Sequence, residues 1–194
     1  AEAKWWDNQW TLRKTITIDT SDKGVPIGDA VGGAAVLIRL HDGDFDFASA
    51  REDGSDLRFV AEDGKTVLKH HIEKWDTLLN EGYVWVRVPE IKPSASSTLW
   101  LYYGNQGDAK NAEDAKGTYD AETALVYHFA DAAAVAMDSS ASGLALQNAT
   151  PPVAGSLAAG GQRLVGQAGA TIPEGPATEW AAGSALTWSA WLKP

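Results

Sequence analysis

The sequence predicts an all-β protein, with an antiparallel, jelly-roll-like β-sandwich over residues 1–117 and the start of a second sandwich over residues 118–194. Three observations lead to this prediction. Apolar and polar residues alternate with a period of two in several short segments, turn dipeptides separate those segments, and no stretch of the first part follows a helical period. Because such strands bury their apolar faces by stacking two sheets, a sandwich is the expected architecture.

Six strands are predicted in the first part, at 15–18, 34–40, 57–60, 68–74, 83–88 and 98–103. Asp53-Gly54 and Asp63-Gly64 are turn dipeptides on either side of the third strand. Pro89 is expected to end the fifth strand, because proline lacks the N–H that a sheet ladder needs. Gly104-Asn105 is expected to end the sixth.

The composition excludes several functional classes. The chain has 26 acidic and 16 basic residues and a net charge of −10, which opposes binding to nucleic-acid phosphates. It has no cysteine, which excludes disulfides and thiolate-bound metals and is compatible with a periplasmic or extracellular location. The Ala-Glu-Ala start is what signal-peptide removal could leave behind, although it is equally what an arbitrary chain boundary would show.

A change in charge near residue 118 predicts two differently built units. Residues 1–119 hold 20 acidic and 14 basic residues, whereas residues 120–194 hold six and two. The polar segment 108–116 is expected to connect them. The second unit begins with the segment 123–129; in it we predict a strand at 186–192 and a short helical turn over 132–137, and we expect this unit to be a truncated domain.

Aromatic residues on two strands suggest a ligand surface. Alternation places Tyr83, Trp85 and Arg87 on one face of their strand, and Trp100 and Tyr102 on one face of theirs. If the two strands are neighbours, these side chains form one aromatic platform that could stack on sugar rings, with Arg87 as a hydrogen-bond donor. The alternative is that the aromatic rings pack beneath a loop or against the second unit.

Three tryptophans precede the first strand, at Trp5, Trp6 and Trp10. Such residues commonly tether an otherwise loose terminus to the body of a domain. The alternative interpretation is that these three residues form a surface patch that binds a protein partner.

Four acidic residues have the spacing of a calcium-binding loop. Asp42, Asp44, Asp46 and Asp53 occupy positions 1, 3, 5 and 12 of an EF-hand-like segment, which makes calcium the one cofactor that the sequence suggests. The sixth position is Phe47 rather than glycine, and no helical pattern flanks the loop, so exposed turn acids are the alternative.

The sequence predicts no catalytic residue. It lacks a Glu-x-Asp-x-x-Glu run, a Gly-x-Ser-x-Gly elbow, a His-Glu-x-x-His helix and a phosphate-binding loop. His70 and His71 would point to opposite faces of a strand, which makes them poor joint metal ligands. We therefore expect a protein that is not an enzyme.

An ordered series of segments resembles a bacterial family of domains of unknown function that precede laminin-G or concanavalin A-like domains. The segments are Trp5-Trp6, Trp10, Arg13-Lys14 with Ile16-Thr17-Ile18, Val36 to Leu40, Asp53 to Val60, Val84 to Pro89, and Leu101 to Asn105. Val126-Tyr127-His128-Phe129, Asp138-Ser139-Ser140 and segment 186–192 look like the opening of the laminin-G or concanavalin A-like domain. That resemblance also suggests Asp131 and Asp138 as calcium ligands.

The resemblance implies a secreted, periplasmic or cell-surface bacterial protein, and it supplies no accepted catalytic residue. We expect a non-catalytic module that recognises a glycan or a protein partner. The alternative is a structural periplasmic subunit of a proton-driven envelope complex, because some family members occur beside ExbB/TolQ-type channel and ExbD/TolR-type components. A truncated carbohydrate-active enzyme is the third hypothesis.

Overall fold

A computed structural model describes residues 4–130, 136–153, 159–166 and 169–192 of the chain. The chain divides into two compact units, Ala1–Asp120 and Ala121–Pro194. No helix in the described ranges is long and apolar enough to cross a membrane.

The first unit is a β-sandwich, which confirms the predicted all-β fold. Its strands are β1 (Leu12–Asp19), β2 (Val31–His41), β3 (Arg58–Val60), β4 (Val67–Leu68), β5 (His70–Asp76), β6 (Glu81–Ile91) and β7 (Ser96–Tyr103). They form a four-stranded sheet in the order β1-β7-β3-β4 and a three-stranded sheet in the order β2-β6-β5. Every pairing is antiparallel.

The hydrophobic core lies between the two sheets, as the two-residue alternation predicts. The inward side chains of the two central strands are buried there: Val84, Val86, Val88, Leu99, Leu101 and Tyr103. Phe59 of β3 and Leu40 of β2 join them with 0% and 1% of their surface exposed. Full burial of each such side chain stabilises the fold by roughly 1.5–3 kcal/mol.

The strand predicted over residues 68–74 is wrong, because the chain changes sheet at Lys69. β4 pairs with β3 in one sheet, and β5 pairs with β6 in the other. Leu68 and His70 are both buried on either side of exposed Lys69, so the segment crosses between sheets over a single residue. The sequence pattern misses this crossing, since the apolar and polar residues continue to alternate through it.

Pro89 does not end β6, contrary to the prediction. The register pairs Gly32 with Glu90 and Ala34 with Val88, and it leaves the intervening Gly33 and Pro89 unpaired. On the other side of β6, the pairing with β5 reaches only as far as Val86. Because no ladder hydrogen bond is required of Pro89 on either side, the strand continues to Ile91.

The helical content of the described residues is small. A 3-10 helix at Phe47–Ser49 follows β2 and buries Phe47 in the core. The single-turn helix α1 (Ala115–Thr118) is capped by Asp114, whose side chain accepts a hydrogen bond from the backbone N–H of Gly117. A further 3-10 helix, Pro176–Thr178, lies in the second unit.

The second unit has only isolated bridges among its described residues, between Gln147 and Thr171 and between Val153 and Gly161. The strand predicted at 186–192 is wrong, because the structure assigns no strand to these described residues. The helical turn predicted over 132–137 lies largely outside the described residues. The second sandwich stays a prediction.

A buried carboxylate organises the start of the second unit. Asp138, 5% exposed, accepts hydrogen bonds from the backbone N–H groups of Val126, Ser140 and Leu144 and from the hydroxyls of Ser140 and Ser142. Burial raises its pKa, but these bonds outweigh that effect, and the net pKa is lowered. Its acceptor sites are therefore occupied by protein donors. The other proposed calcium ligand, Asp131, lies outside the described residues.

Candidate functional site

The aromatic residues predicted to form one platform lie on two different sheets. β6 pairs with β2 and β5, whereas β7 pairs with β1 and β3. Tyr83, Trp85 and Arg87 therefore belong to the outer face of the three-stranded sheet, and Trp100 and Tyr102 to the outer face of the four-stranded sheet. The joint platform is wrong, because it required the two strands to be neighbours.

The amino-terminal tryptophans pack on the outer face of the four-stranded sheet instead. The ring of Trp5 meets Tyr102 edge-on at a centroid distance of 5.3 Å, and Trp6 lies 5.7 Å from the same ring. Trp6 and Trp10 are 4.9 Å apart. Together with Val60 and Trp100 these residues form a second, smaller hydrophobic cluster, which we call the outer aromatic cluster.

Hydrogen bonds fix the rings of this cluster in place. The indole N–H of Trp10, a buried residue, donates to the backbone carbonyl of Asp56 at 2.5 Å. The indole N–H of Trp5 donates to the carbonyls of Asp7 and Trp10 at 2.8 and 2.9 Å. The backbone N–H of Trp6 donates to the hydroxyl of Tyr102 at 3.2 Å. The cluster thus holds the amino-terminal segment against β7, as the tethering interpretation predicts.

Arg13 of β1 lies between two indole rings of the outer aromatic cluster. Its guanidinium carbon is 4.4 Å from the centroid of Trp100 and 5.0 Å from that of Trp5. Such cation–π contacts contribute about 0.5–2 kcal/mol each, depending on exposure. The indole nitrogen of Trp100 is buried without a hydrogen-bond partner in the described structure. This ring is therefore held by packing against the cluster and by Arg13 rather than by its N–H.

A groove of about 330 Å³ opens beside the two outermost rings, and its lining residues are Lys4, Trp5, Trp6, Asp63, Gly64 and Lys65. This volume is at the lower end of the range for ligand pockets, about 300–1,000 Å³. Trp5 and Trp6 are half-buried, so part of each ring faces solvent. The groove combines apolar ring faces with charged groups of both signs.

Asp63 shapes one wall of the groove. Its carboxylate accepts hydrogen bonds from the hydroxyl of Thr66 at 2.6 Å and from the backbone N–H groups of Thr66 and Lys65, each at 2.9 Å. These bonds, led by the one from the Thr66 hydroxyl, lower the pKa of Asp63 to about 2. Asp63 is therefore ionised at neutral pH, and it holds the turn between β3 and β4 that brings Lys65 to the groove.

On the outer face of the three-stranded sheet, the predicted ligand-binding residues are bonded to acidic neighbours. The indole N–H of Trp85 donates to Glu73 at 2.7 Å, and the hydroxyl of Tyr83 donates to Glu81 at 2.7 Å. Glu81 also accepts from Lys74 at 2.7 Å, and the Lys74 and Tyr83 bonds lower its pKa to about 2. The polar atoms of both aromatic rings thus already have protein partners.

Sequence reasoning missed a cluster on this face that includes the residues around α1. The ring nitrogen Nδ1 of His71 is 3.2 Å from the hydroxyl of Tyr119, and Nε2 is 3.6 Å from a carboxylate oxygen of Glu113. The ring of Tyr119 lies 6.3 Å from that of Trp85. Burial raises the pKa of Glu113. The only signal in the sequence was that His70 and His71 lie on opposite faces of a strand, which does not reveal that residues 113–119 fold back over β5.

The four acids proposed as calcium ligands do not come together. The carboxylate of Asp44 forms an ion pair with Lys14 at 2.8 Å, and that of Asp46 accepts from the hydroxyl of Ser49. Asp53 caps its own turn through the N–H of Ser55, and Asp42 is exposed. No three His, Asp or Glu side chains of the described chain are grouped so as to hold a metal. The proposed loop is wrong, because a turn and a 3-10 helix direct these acids to different partners.

Comparison with known proteins gives a family match for part of the chain. A family model described as "Domain of unknown function (DUF2341)" matches residues 53–142, from the turn before β3 into the second unit. No curated protein and no solved structure matches the chain. The family match supports the resemblance to a bacterial domain of unknown function, and the amino-terminal tryptophans lie outside the matched range.

Proposed function

We propose that this protein is a non-catalytic binding module of the bacterial cell envelope or surface that recognises a glycan in the groove beside Trp5 and Trp6. The observation that carries the proposal is that two half-buried indole rings, packed against the other residues of the outer aromatic cluster, line a groove that also presents charged side chains. Aromatic faces of this kind stack on the C–H faces of sugar rings.

The rigidity of the groove favours binding. Trp5 is fixed by two hydrogen bonds of its indole N–H and by its edge-on contact with Tyr102. A ring that is already fixed loses little conformational entropy when a ligand stacks on it, so more of the contact energy remains as affinity. Lys4 and Lys65 offer hydrogen-bond donors at the rim, where sugar hydroxyls would lie.

The same groove is poorly suited to hydrolysis. Glycosidic cleavage generally needs two carboxyl groups, one of them protonated at the working pH. Asp63 is the one acidic residue among the described residues that line the groove, and its lowered pKa keeps it ionised. This supports a binding role rather than a catalytic one.

In this proposal the ligand lies on the side of the sandwich opposite the Tyr83, Trp85 and Arg87 face. On that face, the indole N–H of Trp85 and the hydroxyl of Tyr83 are engaged by Glu73 and Glu81. Ligand binding on the Tyr83, Trp85 and Arg87 face stays a prediction. Substitutions on each of the two faces distinguish binding on that face from binding in the groove.

Binding to a panel of purified bacterial and plant polysaccharides, measured by affinity electrophoresis and isothermal titration calorimetry, tests the proposal. For a polysaccharide that binds, we expect Trp6→Ala to weaken affinity at least tenfold and Trp85→Ala to leave it within about twofold, since truncating a Trp that dominates a binding surface costs about 2 kcal/mol or more. Circular dichroism and thermal melting establish that both variants are folded. Lys65→Ala removes an exposed rim group without touching the cluster, and we expect it to weaken binding severalfold.

Two results would count against the proposal. The first is the absence of binding to any polysaccharide of the panel. The second is a loss of binding in Trp85→Ala while Trp6→Ala binds normally, which would move the ligand to the three-stranded sheet. A role in an ExbB/TolQ-type assembly, a protein partner at Trp5, Trp6 and Trp10, and a periplasmic or extracellular location stay predictions from the sequence.

A further inference from the structure

Three Asp-Gly dipeptides occur in turns or bends of the first unit: Asp42-Gly43, Asp53-Gly54 and Asp63-Gly64. In such a dipeptide the backbone nitrogen of the glycine can attack the side-chain carboxyl carbon of the preceding aspartate, because glycine has no Cβ to obstruct the approach. All three glycines have similar positive φ, at +79°, +68° and +66°. The glycine conformation therefore does not distinguish the three sites, and a difference in reactivity has to come from their surroundings.

The attacking nitrogen is hydrogen-bonded in two of the three dipeptides. The N–H of Gly54 donates to the carbonyl of Arg51 at 2.9 Å, and the N–H of Gly64 donates to the carbonyl of Ala61 at 2.9 Å. The N–H of Gly43 donates to no group in the described part of the chain. A nitrogen that holds its proton in a hydrogen bond has to break that bond before it can react, so only Gly43 is ready to attack.

The carboxyl groups under attack differ in the same order. The carboxylate of Asp53 accepts the N–H of Ser55 at 3.0 Å, and that of Asp63 accepts the three hydrogen bonds described above for the groove wall. Those bonds lower the pKa of Asp63 to about 2, which leaves less of the protonated carboxyl group, the form that can release water. The carboxylate of Asp42 is exposed and has no hydrogen bond or ion pair with any described residue.

The space around the glycine also favours Asp42-Gly43. Gly43 is exposed, and a Cβ built on it would meet no atom within 4 Å. Gly54 is buried, and a Cβ there would lie 3.2 Å from side-chain atoms of both Ile72 and Trp75. Ring closure swings the aspartate side chain over the backbone of the glycine, which a tightly packed surrounding resists. Only the turn at Gly43 combines open space with a free nitrogen.

His41 adds an electronic effect at the same turn. Its ring nitrogen Nδ1 lies 2.8 Å from the carbonyl oxygen of Asp42. Because a carbonyl oxygen only accepts, Nδ1 is the donor of this hydrogen bond. The carbonyl belongs to the peptide bond whose nitrogen is that of Gly43, and a hydrogen bond to the oxygen draws electron density from that nitrogen. The N–H of Gly43 thereby becomes more acidic, and it has to lose its proton during the attack.

We propose that Asp42-Gly43 is a site of spontaneous aspartate isomerisation and that the fold confines the reaction to this one Asp-Gly dipeptide. The nitrogen of Gly43 bonds to Cγ of Asp42, and the N–H proton and the carboxyl hydroxyl leave as one water, which closes a succinimide ring. Water then adds to either ring carbonyl carbon and opens the ring to aspartate or isoaspartate. One water is released and one is taken up, so the reaction needs no oxidant, reductant or enzyme. The proposal is independent of the glycan groove.

The modification alters the turn that joins β2 to the core. In isoaspartate the main chain runs through the side-chain methylene, which lengthens the backbone at residue 42 by one carbon. The backbone N–H groups of Asp44 and Phe45 close this turn by donating to the carbonyl of His41 at 3.1 and 3.0 Å. Asp44 pairs with Lys14, and Phe45 is buried in the core. Isomerisation therefore disturbs a turn on which both of these contacts depend.

Trypsin separates the three dipeptides, because it cleaves after Arg39, Arg51, Arg58 and Lys65 and so releases peptides 40–51, 52–58 and 59–65. The folded protein is incubated at neutral pH in water enriched in heavy oxygen, and it is then digested in ordinary water. Each opening of a succinimide adds one heavy oxygen atom, and electron-transfer fragmentation locates the isoaspartate. We expect label and isoaspartate at Asp42 to accumulate at least about tenfold faster than in the other two peptides, whose hydrogen bonds have to break first.

Two controls separate the fold from the local sequence. In guanidinium chloride the three dipeptides lose their surroundings, so their rates should come within about threefold of one another. Asp42→Glu keeps the charge but would need a six-membered ring, so peptide 40–51 of this variant should stay unlabelled. Equal rates in the three peptides of the folded protein, or the same preference for Asp42 in the denatured chain, would overturn the proposal. Labelling of peptide 40–51 in Asp42→Glu would also overturn it, because the label would then enter at another residue.

Discussion

The carboxylate of Asp56 accepts a hydrogen bond from the backbone N–H of Gly104 at 2.7 Å, across 48 residues of sequence. The same carboxylate accepts from the backbone N–H groups of Asn105 at 3.1 Å and Arg51 at 3.0 Å. Asp56 is fully buried. One side chain therefore ties the turn before β3 to the end of β7, beside the indole of Trp10 that donates to its backbone carbonyl.

Replacing Asp56 by alanine should destabilise the first unit by about 3–5 kcal/mol. The substitution leaves three backbone N–H groups without their acceptor in a buried site, and each such loss costs about 1–3 kcal/mol. Urea unfolding followed by tryptophan fluorescence measures the change. Asp42→Ala is the control, because Asp42 is exposed, and its effect should stay within about 0.5 kcal/mol. Equal stability of the two variants would show that the Asp56 bonds contribute little.

Gly104→Ala should be more destabilising than Gly43→Ala, although both glycines have positive φ, +83° and +79°. A Cβ at position 104 would lie 2.6 Å from the hydroxyl oxygen of Thr11, whereas a Cβ at position 43 would meet no atom within 4 Å. For alanine, the left-handed conformation alone costs about 1–2 kcal/mol. We therefore expect Gly43→Ala to lower the free energy of unfolding by that amount. Because of the clash with Thr11, Gly104→Ala should lower it by at least about 1 kcal/mol more. The difference in the free energy of unfolding is the measurement, and a reversed order would contradict the geometry.

Stability should fall as the pH is lowered from about 6.5 to 4, because His70 is buried in its neutral form. Burial, reinforced by the charge of Arg58, lowers its pKa from 6.5 to about 4. Below pH 6.5 the unfolded chain binds a proton that the folded chain does not, so this contribution is complete above pH 6.5 and is lost towards pH 4. The expected slope is up to about 1.4 kcal/mol per pH unit.

Urea unfolding between pH 4 and 7.5 checks the contribution of His70. His70→Gln removes the titrating group and should flatten the pH dependence of stability over this window. His41→Gln, at an exposed position, should leave it unchanged. If the free energy of unfolding of His70→Gln fell with pH as steeply as that of the wild type, the pH dependence would come from other groups.

Calcium should not stabilise the first unit. The ammonium group of Lys14 lies 2.8 Å from the carboxylate of Asp44 and occupies the place of a cation there. Thermal melts in about 5 mM calcium chloride and in EDTA should therefore have the same midpoint, since that concentration exceeds the dissociation constants of weak extracellular sites, about 10⁻⁴–10⁻³ M. A rise of several degrees with calcium would show that these acids rearrange around an ion.

The strands of the first unit could be predicted from the sequence because their signals are local. Alternation along β6 and β7 placed Val84 and Leu101 on the faces opposite Trp85 and Trp100, and the structure buries Val84 and Leu101 in the core. It also placed His70 and His71 on opposite faces, and the structure buries His70 and brings His71 to the hydroxyl of Tyr119. A period of two depends only on the geometry of one strand, so it can be read without knowing the neighbours of that strand.

Only the tertiary structure decided which strands are neighbours and hence which side chains share a surface. It placed Trp85 and Trp100 on opposite sides of the sandwich and brought Trp5 and Trp6 to the same side as Trp100. Neighbour choice depends on contacts between residues far apart in the chain, such as Trp10 with Asp56 and Asp56 with Gly104, for which local patterns carry no information. The sequence by itself determined the faces of the strands, and long-range packing determined the groove.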